Sequence, residues 1–118
     1  NGDRYPTDIV YFKTSESEGN VWHSTQKPIE LGRYLVRTFT NPGQLVLDNT
    51  FGSGSFLVSA ALEGRLFCGI EKNEDVHLFK KDAVDFIKIA QERLITAGVN
   101  PKEIHVLRRD RRGNCPKI

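Results

Sequence analysis

The sequence lacks the features that mark several large classes of protein. Its two cysteines, Cys68 in an apolar run and Cys115 in a polar tail, provide neither a disulfide framework nor a metal-binding cluster. No apolar run approaches the roughly 20 residues that a membrane-spanning helix requires. No stretch has the pattern of a secretory signal peptide. We therefore expect a cytoplasmic protein without a metal site and without a membrane partner.

Methionine is absent, and the chain begins at Asn1. We therefore expect these 118 residues to be part of a longer protein. The apolar share of 38% and the charged share of 27% are typical of a globular chain. The net charge of +2 is too small to indicate a nucleic-acid partner by itself. The length suits one small domain or a portion of a larger one.

Four short runs rich in β-branched, aromatic or other apolar residues predict strands. They lie at residues 8–13, 45–47, 66–70 and 104–107. The two central runs, at 45–47 and 66–70, are almost entirely apolar, which is typical of parallel strands that are buried on both faces.

Three stretches have the spacing of amphipathic helices. The first begins at Pro28, which suits the first turn of a helix, and its apolar positions continue to Phe39. The second spans residues 56–63, and the third spans residues 75–97 and ends at Gly98. The order strand, helix, strand, helix is that of a βαβ unit. It predicts an α/β fold with a doubly wound parallel sheet.

A glycine-rich turn lies between the two central strands, and each of these strands ends in a carboxylate. Asp48 follows the first strand and Glu71 the second. In parallel sheets ligands bind beyond the carboxyl ends of the strands. Gly52 and Gly54 allow the backbone to approach a ligand and to direct amide groups at it. We therefore expect a valine at position 54 to harm ligand binding more than folding.

Three ligands suit a turn of this kind to different degrees. A phosphate loop needs a lysine after its last glycine, and none follows Gly54. A dinucleotide site needs a small residue where this chain has Leu57. S-adenosylmethionine fits best: free loop amides suit its carboxylate, Asp48 its ammonium and Glu71 its ribose hydroxyls. A purely structural glycine turn is the alternative.

Two blocks together resemble one enzyme family. They are His23-Ser-Thr-Gln-Lys-Pro28 and Leu47-Asp-Asn-Thr-Phe-Gly-Ser-Gly-Ser55. Over residues 4–93 the chain is similar to the adenine-N6 and cytosine-N4 DNA methyltransferases in which the catalytic motif precedes the cofactor motif. The resemblance implies a Rossmann-like methyltransferase fold, of which this chain is the parallel-sheet portion with flanking helices. Ser24 stands where proline is frequent, and Asn49 also departs from the commonest pattern.

The resemblance also implies a set of residues that bind S-adenosylmethionine. Those at the methionine end come from the first block, those of the glycine turn from the second, and the ribose and adenine are met at the end of the next strand. The implied residues are Thr25, Gln26, Lys27, Asp48, Phe51, Gly52, Gly54, Ser55, Glu71 and Lys72. The chain then divides into a leading strand and loop (1–22), a cofactor-binding core (23–98) and a basic tail (99–118).

The family's catalytic motif, Asp/Asn/Ser-Pro-Pro-aromatic, is absent, because no two of the five prolines are adjacent. In this family order the motif is expected upstream, so no catalytic residue is assigned here and the chain alone is expected to be inactive. The implied partners are that upstream segment and double-stranded DNA. Adenine N6 is favoured over cytosine N4 as the target, and a bacterial or phage origin is implied.

Two alternatives to this function are an inactive paralogue that keeps its binding site and another enzyme class built on the same sheet. The block at residues 23–28 argues against the second. Arg108, Arg109, Arg111 and Arg112 form a basic cluster. This cluster suits either contact with DNA phosphates or a solvated, mobile tail.

Overall fold

The computed structural model describes residues 9–14, 18–19, 26–73, 84–109 and 112–114. These residues form three helices, two strands and one short 3-10 helix, in an alternating order. In chain order they are α1 (Ile29–Phe39), β1 (Leu45–Asp48), α2 (Ser55–Leu62), β2 (Leu66–Gly69), α3 (Phe86–Thr96) and the 3-10 helix Pro101–Glu103.

The predicted βαβ unit is confirmed. The two strands pair in parallel, with Leu45 opposite Leu66 and Asp48 opposite Gly69. Helix α2 connects them and lies at the centre of the fold, where it contacts α1, α3 and both strands. The core consists of Leu57 and Val58 from α2 together with Leu94 from α3. The carboxyl ends of β1 and β2 therefore lie at one edge, as the sequence predicts.

Helices α1 and α2 pack closely because a glycine faces a serine. A Cβ atom built on Gly32 would lie 2.9 Å from Cβ of Ser59. Ser59 is fully buried, and its hydroxyl donates to the carbonyl of Ser55 over 2.7 Å. The same hydroxyl also lies 3.1 Å from the carbonyl of Ile29 in α1, so it contacts both its own helix and the facing one. Any side chain larger than hydrogen at position 32 would force the two helices apart.

A part-buried carboxylate pairs α1 with the end of α2. Glu63 Oε1 accepts hydrogen bonds from Arg33 Nε over 2.7 Å and from Arg37 Nη1 over 2.6 Å. Partial burial opposes ionisation of Glu63, but the hydrogen bonds and charges of both arginines outweigh it and hold the pKa of Glu63 below its usual value. The ion pair is therefore formed at neutral pH.

Two of the four predicted strands are wrong. Residues 9–14 and 104–107 are irregular; position 8 of the first run lies outside the described residues. β-propensity reflects side-chain packing on a sheet more than a backbone preference, so a β-branched run need not form a strand. Ile9 and Tyr11 are almost fully exposed, whereas Ile104 packs against the core.

The C-terminal part of the predicted third helix is confirmed as α3. Of the predicted range 75–97, residues 75–83 lie outside the described part of the chain, positions 84 and 85 are not helical, and α3 spans Phe86–Thr96. Asp85 has an extended backbone, and its side chain accepts from the backbone N–H of Lys88. A short acidic side chain in this position caps a helix rather than continuing it. Pro28 likewise precedes α1 as its N-cap instead of occupying the first turn.

The expectation that both strands are buried on both faces is wrong for this chain. Phe67 packs against the core on one face, whereas Leu45, Leu47 and Leu66 are 60%, 61% and 62% exposed on the other. The three leucines alternate with half-buried positions, as the two-residue period of a strand requires.

Within the described residues, no helix has both the length and the apolar character needed to cross a membrane.

Candidate functional site

The glycine turn is fastened to the end of β2. Its Gly52 N–H donates to Glu71 Oε2 over 2.8 Å, and its Phe51 N–H donates to the carbonyl of Ile70 over 3.2 Å. The carbonyl of Asp48 in turn accepts from Ile70 N–H over 2.9 Å. These bonds bring the two predicted acidic residues, Asp48 and Glu71, to one edge of the sheet with the turn between them.

The backbone of the turn is left-handed at both glycines, with φ of 55° at Gly52 and 90° at Gly54. Gly54 is the N-cap of α2 and is buried. A Cβ atom on Gly54 would lie 2.8 Å from Cβ of Ala90 on α3. A side chain at position 54 would therefore meet α3, which contradicts the expectation that a valine there harms ligand binding more than folding. Absence of a side chain there allows α2 and α3 to approach each other.

The expected nest of free amides is not present at four positions of the turn. The backbone N–H groups that already donate within the protein are those of Thr50, Phe51, Gly52 and Gly54. Thr50 donates to Asp48 Oδ1 over 3.1 Å, an Asx turn that orients this carboxylate. Two amides of the turn thus orient the acidic side chains of Asp48 and Glu71. Most contacts to the carboxylate of a ligand must therefore come from side chains.

The block at residues 23–28 reaches the same turn. Gln26 Oε1 accepts a hydrogen bond from Ser53 Oγ over 2.9 Å, and Lys27 is exposed beside it. Position 25 lies outside the described residues, as do positions 23 and 24. The start of α1 next to this block is capped by a residue that the sequence did not indicate: Glu18 accepts from the first two backbone N–H groups of the helix, over 2.6 Å and 3.1 Å.

An arginine from α3 supports the turn from behind. Arg93 Nη1 donates to the carbonyl of Ser53 over 2.9 Å, to Ser53 Oγ over 3.0 Å and to Ser55 Oγ over 3.1 Å. Burial of the guanidinium lowers the pKa of Arg93 from its usual value, but arginine stays charged in proteins. Sequence reasoning missed Ser53 and Arg93. The one signal for Arg93 in the sequence is its position next to Leu94 and three residues after Ala90, both of which lie on the apolar face of the helix.

Asn73 joins the end of β2 to the start of α3. It is buried, and its backbone is left-handed with φ of 58°. Its Nδ2 donates to Asp85 Oδ1 over 3.1 Å, and its Oδ1 accepts from the N–H of Phe86 over 3.0 Å. The clamp formed by Asn73 and Asp85 therefore caps α3 with two side chains.

Asp85 also forms an ion pair with one arginine of the basic cluster. Arg108 Nη2 donates to both carboxylate oxygens of Asp85, over 3.2 Å and 2.9 Å. Burial of Asp85 opposes its ionisation, but the hydrogen bonds from Arg108, from the backbone of Lys88 and from Asn73 lower its pKa. At least this member of the cluster has a structural role. Position 111 lies outside the described residues.

One cleft collects most of the predicted cofactor residues. Those that line it are Gln26, Lys27, Asp48, Phe51, Gly52, Ser55, Glu71 and Lys72. Among the residues that the structure describes, no three His, Cys, Asp or Glu side chains group to hold a metal ion. The cleft has carboxylates at the ends of both strands and two lysines at its margin. These charges suit a ligand that carries both cationic and anionic groups.

Comparison with solved structures assigns the class. The chain superimposes on the crystal structure of the M1.HpyAVI–SAM complex with a TM-score of 0.57 and 27% sequence identity, over 76% of this chain and 42% of that one. The expected fold class is confirmed: the βαβ unit is part of the Rossmann-like fold of S-adenosylmethionine-dependent methyltransferases. The chain belongs to the N6/N4 family of DNA methylases, whose family model matches residues 2–81.

Curated bacterial relatives agree with this family. The chain is 41% identical over 70 residues to the putative methylase YubD of Escherichia coli K12, covering 59% of this chain and 30% of that protein. It is 32% identical over 95 residues to the type II methyltransferase M.HinfI of Haemophilus influenzae, covering 80% and 24%. It is 30% identical over 114 residues to the DNA adenine methyltransferase YhdJ of Escherichia coli K12, covering 84% and 35%. The chain thus spans about a quarter to a third of the length of these relatives.

Proposed function

We propose that the full-length protein is an S-adenosylmethionine-dependent DNA methyltransferase and that this chain forms its cofactor-binding part. The observation that carries the proposal is that two other sequence motifs, the block at residues 23–28 and the acid after β2, both contact the glycine turn. Gln26 contacts the turn at Ser53, and Glu71 contacts it at Gly52. Membership of the DNA methylase family and the likeness to a protein solved in complex with SAM support the same ligand.

The ribose end of the cofactor is assigned to Glu71. Its two carboxylate oxygens accept from Gly52 N–H over 2.8 Å and from Asn73 N–H over 3.4 Å. Each carboxylate oxygen has room for about two hydrogen bonds. One acceptor position per oxygen is therefore left for a pair of vicinal hydroxyls. Lys72, exposed next to it at the cleft, is assigned to the border of the adenine.

The methionine end is assigned to the opposite side of the turn. Asp48, oriented by Thr50, suits the ammonium group. Lys27 and Gln26 suit the carboxylate, because a lysine ammonium and an amide NH2 are hydrogen-bond donors. Thr25 and the turn residues Phe51, Gly52, Gly54 and Ser55 are assigned to the same end of the cofactor. The bound cofactor supplies the methyl group from its sulfonium, and the side chains named here bind and orient it.

The methyl acceptor is proposed to be an exocyclic amine of double-stranded DNA. Adenine N6 is favoured over cytosine N4, in keeping with the relative named a DNA adenine methyltransferase. No two prolines of this chain are adjacent, so the Pro-Pro-aromatic motif that holds the flipped base is proposed to come from an upstream segment of the full-length protein. The bacterial relatives support a bacterial or phage-derived enzyme that acts in the cytoplasm.

Isothermal titration of the full-length protein with S-adenosylhomocysteine tests the cofactor assignment without turnover. Glu71→Gln keeps an acceptor for Gly52 N–H but removes the charge offered to the ribose hydroxyls. A charge-assisted hydrogen bond contributes about 1.5–3 kcal/mol, so the affinity is expected to fall roughly 10-fold or more. Glu92→Gln, at an exposed position of α3, is the matched control and is expected to bind normally. Unchanged affinity in Glu71→Gln would contradict the assignment.

A further inference from the structure

The guanidinium of Arg93 is placed against neutral oxygens of the glycine turn. Its Nη1 lies within 3.1 Å of three acceptors, which are the carbonyl and hydroxyl of Ser53 and the hydroxyl of Ser55. The charge is partly removed from water, as its lowered pKa reflects. Burying a cation is unfavourable unless hydrogen bonds compensate it. Here the compensation comes from the turn itself, so the arginine and the turn depend on each other.

The direction of the hydrogen bonds in this group follows from the chemistry of arginine. A guanidinium has only donors, so Ser53 Oγ must accept from Arg93. The proton of the same hydroxyl then points to its other neighbour, Gln26 Oε1, at 2.9 Å. A chain of two hydrogen bonds therefore runs from Arg93 through Ser53 to Gln26.

This chain of hydrogen bonds fixes the orientation of the Gln26 amide group. The oxygen is held by Ser53, so the nitrogen with its two hydrogens is on the far side of the amide group. Gln26 and Ser53 both line the cleft, whereas Arg93 stands behind the turn. Arg93 thus influences the cleft through other residues and not by direct contact.

We propose that Arg93 is a positioning residue of the cofactor site, which acts through Ser53 to present the amide donors of Gln26 to the carboxylate at the methionine end of S-adenosylmethionine. This inference rests on the proposed function. It assigns Arg93 a role in recognition of the amino-acid part of the cofactor, separate from the Glu71 contact with the ribose.

Two ligands distinguish this role from a general contribution to folding. S-adenosylhomocysteine carries the amino-acid end, and 5′-methylthioadenosine lacks it but keeps the ribose and the adenine. In the full-length protein, Arg93→Gln and Ser53→Ala are each expected to lower the affinity for S-adenosylhomocysteine about 10-fold. This is the effect expected from the loss of one hydrogen bond that involves a charged group. Methylthioadenosine affinity is expected to change less than about twofold, since its own contacts are kept.

Three further variants and measurements make the test decisive. Arg93→Lys retains a cationic donor and is expected to recover part of the lost affinity. Arg37→Gln removes an arginine of α1 that pairs with Glu63, at the opposite end of α2 from the turn, and is expected to leave both affinities unchanged. Thermal melts followed by circular dichroism show that each variant is folded at the temperature of the titration. Where Arg93→Gln does not fold, Ser53→Ala, which keeps the arginine, decides alone.

The outcomes separate this inference from the function on which it rests. Selective loss of S-adenosylhomocysteine affinity supports the positioning role. Equal loss for both ligands, or no loss for either, overturns it while leaving the cofactor site in place. If the unmodified protein binds neither ligand, the proposed function fails, and the inference fails with it.

Discussion

The backbone amide of Gly52 donates a hydrogen bond to Glu71 Oε2 over 2.8 Å. This bond joins the glycine turn to the acidic residue that follows β2, two parts of the chain separated by α2 and a whole strand. It fixes the carboxylate of Glu71 in its orientation before any ligand binds. A group that is already oriented loses less conformational freedom on binding, which favours affinity.

We expect Glu71→Ala to reduce the stability of the full-length protein as well as its cofactor affinity. Alanine leaves the part-buried N–H of Gly52 without its acceptor, and an unsatisfied buried donor costs about 1–3 kcal/mol. Glu71→Gln keeps an acceptor there and is expected to be less destabilised. Urea denaturation of the two variants measures the difference, and equal free energies of unfolding would show that the bond contributes nothing to the fold.

Gly54→Val is expected to reduce folding stability by more than about 1 kcal/mol, because it combines a strained left-handed backbone with overpacking. The added side chain would press on Ala90 of α3. Ala90→Gly introduced with it is expected to relieve part of the clash, so a double-mutant cycle gives the coupling between the two positions. Loss of cofactor affinity in Gly54→Val at full stability would instead place its side chain in the ligand space.

Stability is expected to fall as the pH drops below about 4, the usual range of carboxyl groups. Glu63 and Asp85 have pKa values lowered by their arginine partners. A carboxyl group whose pKa is lower in the folded state stabilises the protein above its unfolded-state pKa. That contribution is lost as the pH falls through the folded-state pKa.

The variant Glu63→Gln tests this pH dependence. Its unfolding free energy, measured by urea denaturation between pH 7 and pH 3, is expected to decline less steeply than that of the unmodified protein. Glu92→Gln, at an exposed position, is expected to follow the unmodified curve. Parallel curves for all three proteins would show that the ion pair of Glu63 with Arg33 and Arg37 does not set the acid sensitivity.

The 118-residue chain, purified alone, is expected to transfer no methyl group to DNA. Positioning of the reacting groups supplies about 7–11 kcal/mol in favourable cases, and the motif that holds the target base is absent from this sequence. A radiolabelled methyl-transfer assay measures incorporation, with the full-length protein as the positive control. Clear incorporation by the short chain would place a catalytic site within it.

The parts of the fold that sequence reasoning predicted are those with local signals. The apolar strand before Asp48 and the glycine turn after it are encoded within about ten neighbouring residues, and the structure confirms the βαβ unit that they define. The run at residues 9–14 has strand composition but no strand, because pairing depends on a distant partner.

The supporting contacts of the site could not be predicted for the same reason. Arg93 is 40 residues from Ser53 in the chain, and nothing in an 11-residue helix indicates that one of its side chains crosses to a loop. Asn73 follows Glu71 by two residues, and no local signal in the sequence predicts its role at the start of α3. Its capping of α3 depends on a left-handed backbone that the sequence does not display.

The clamp of Asn73 and Asp85 also makes one carboxylate a shared dependency of three parts of the chain. Asp85 accepts from Asn73 Nδ2 over 3.1 Å, from the N–H of Lys88 over 3.2 Å and from Arg108 Nη2 over 2.9 Å. Loss of this carboxylate would leave all three donors without their acceptor at once, and an unsatisfied donor is unfavourable where it is shielded from water. A single mutation at position 85 is therefore expected to disturb the end of β2, next to Glu71, and the start of α3 together.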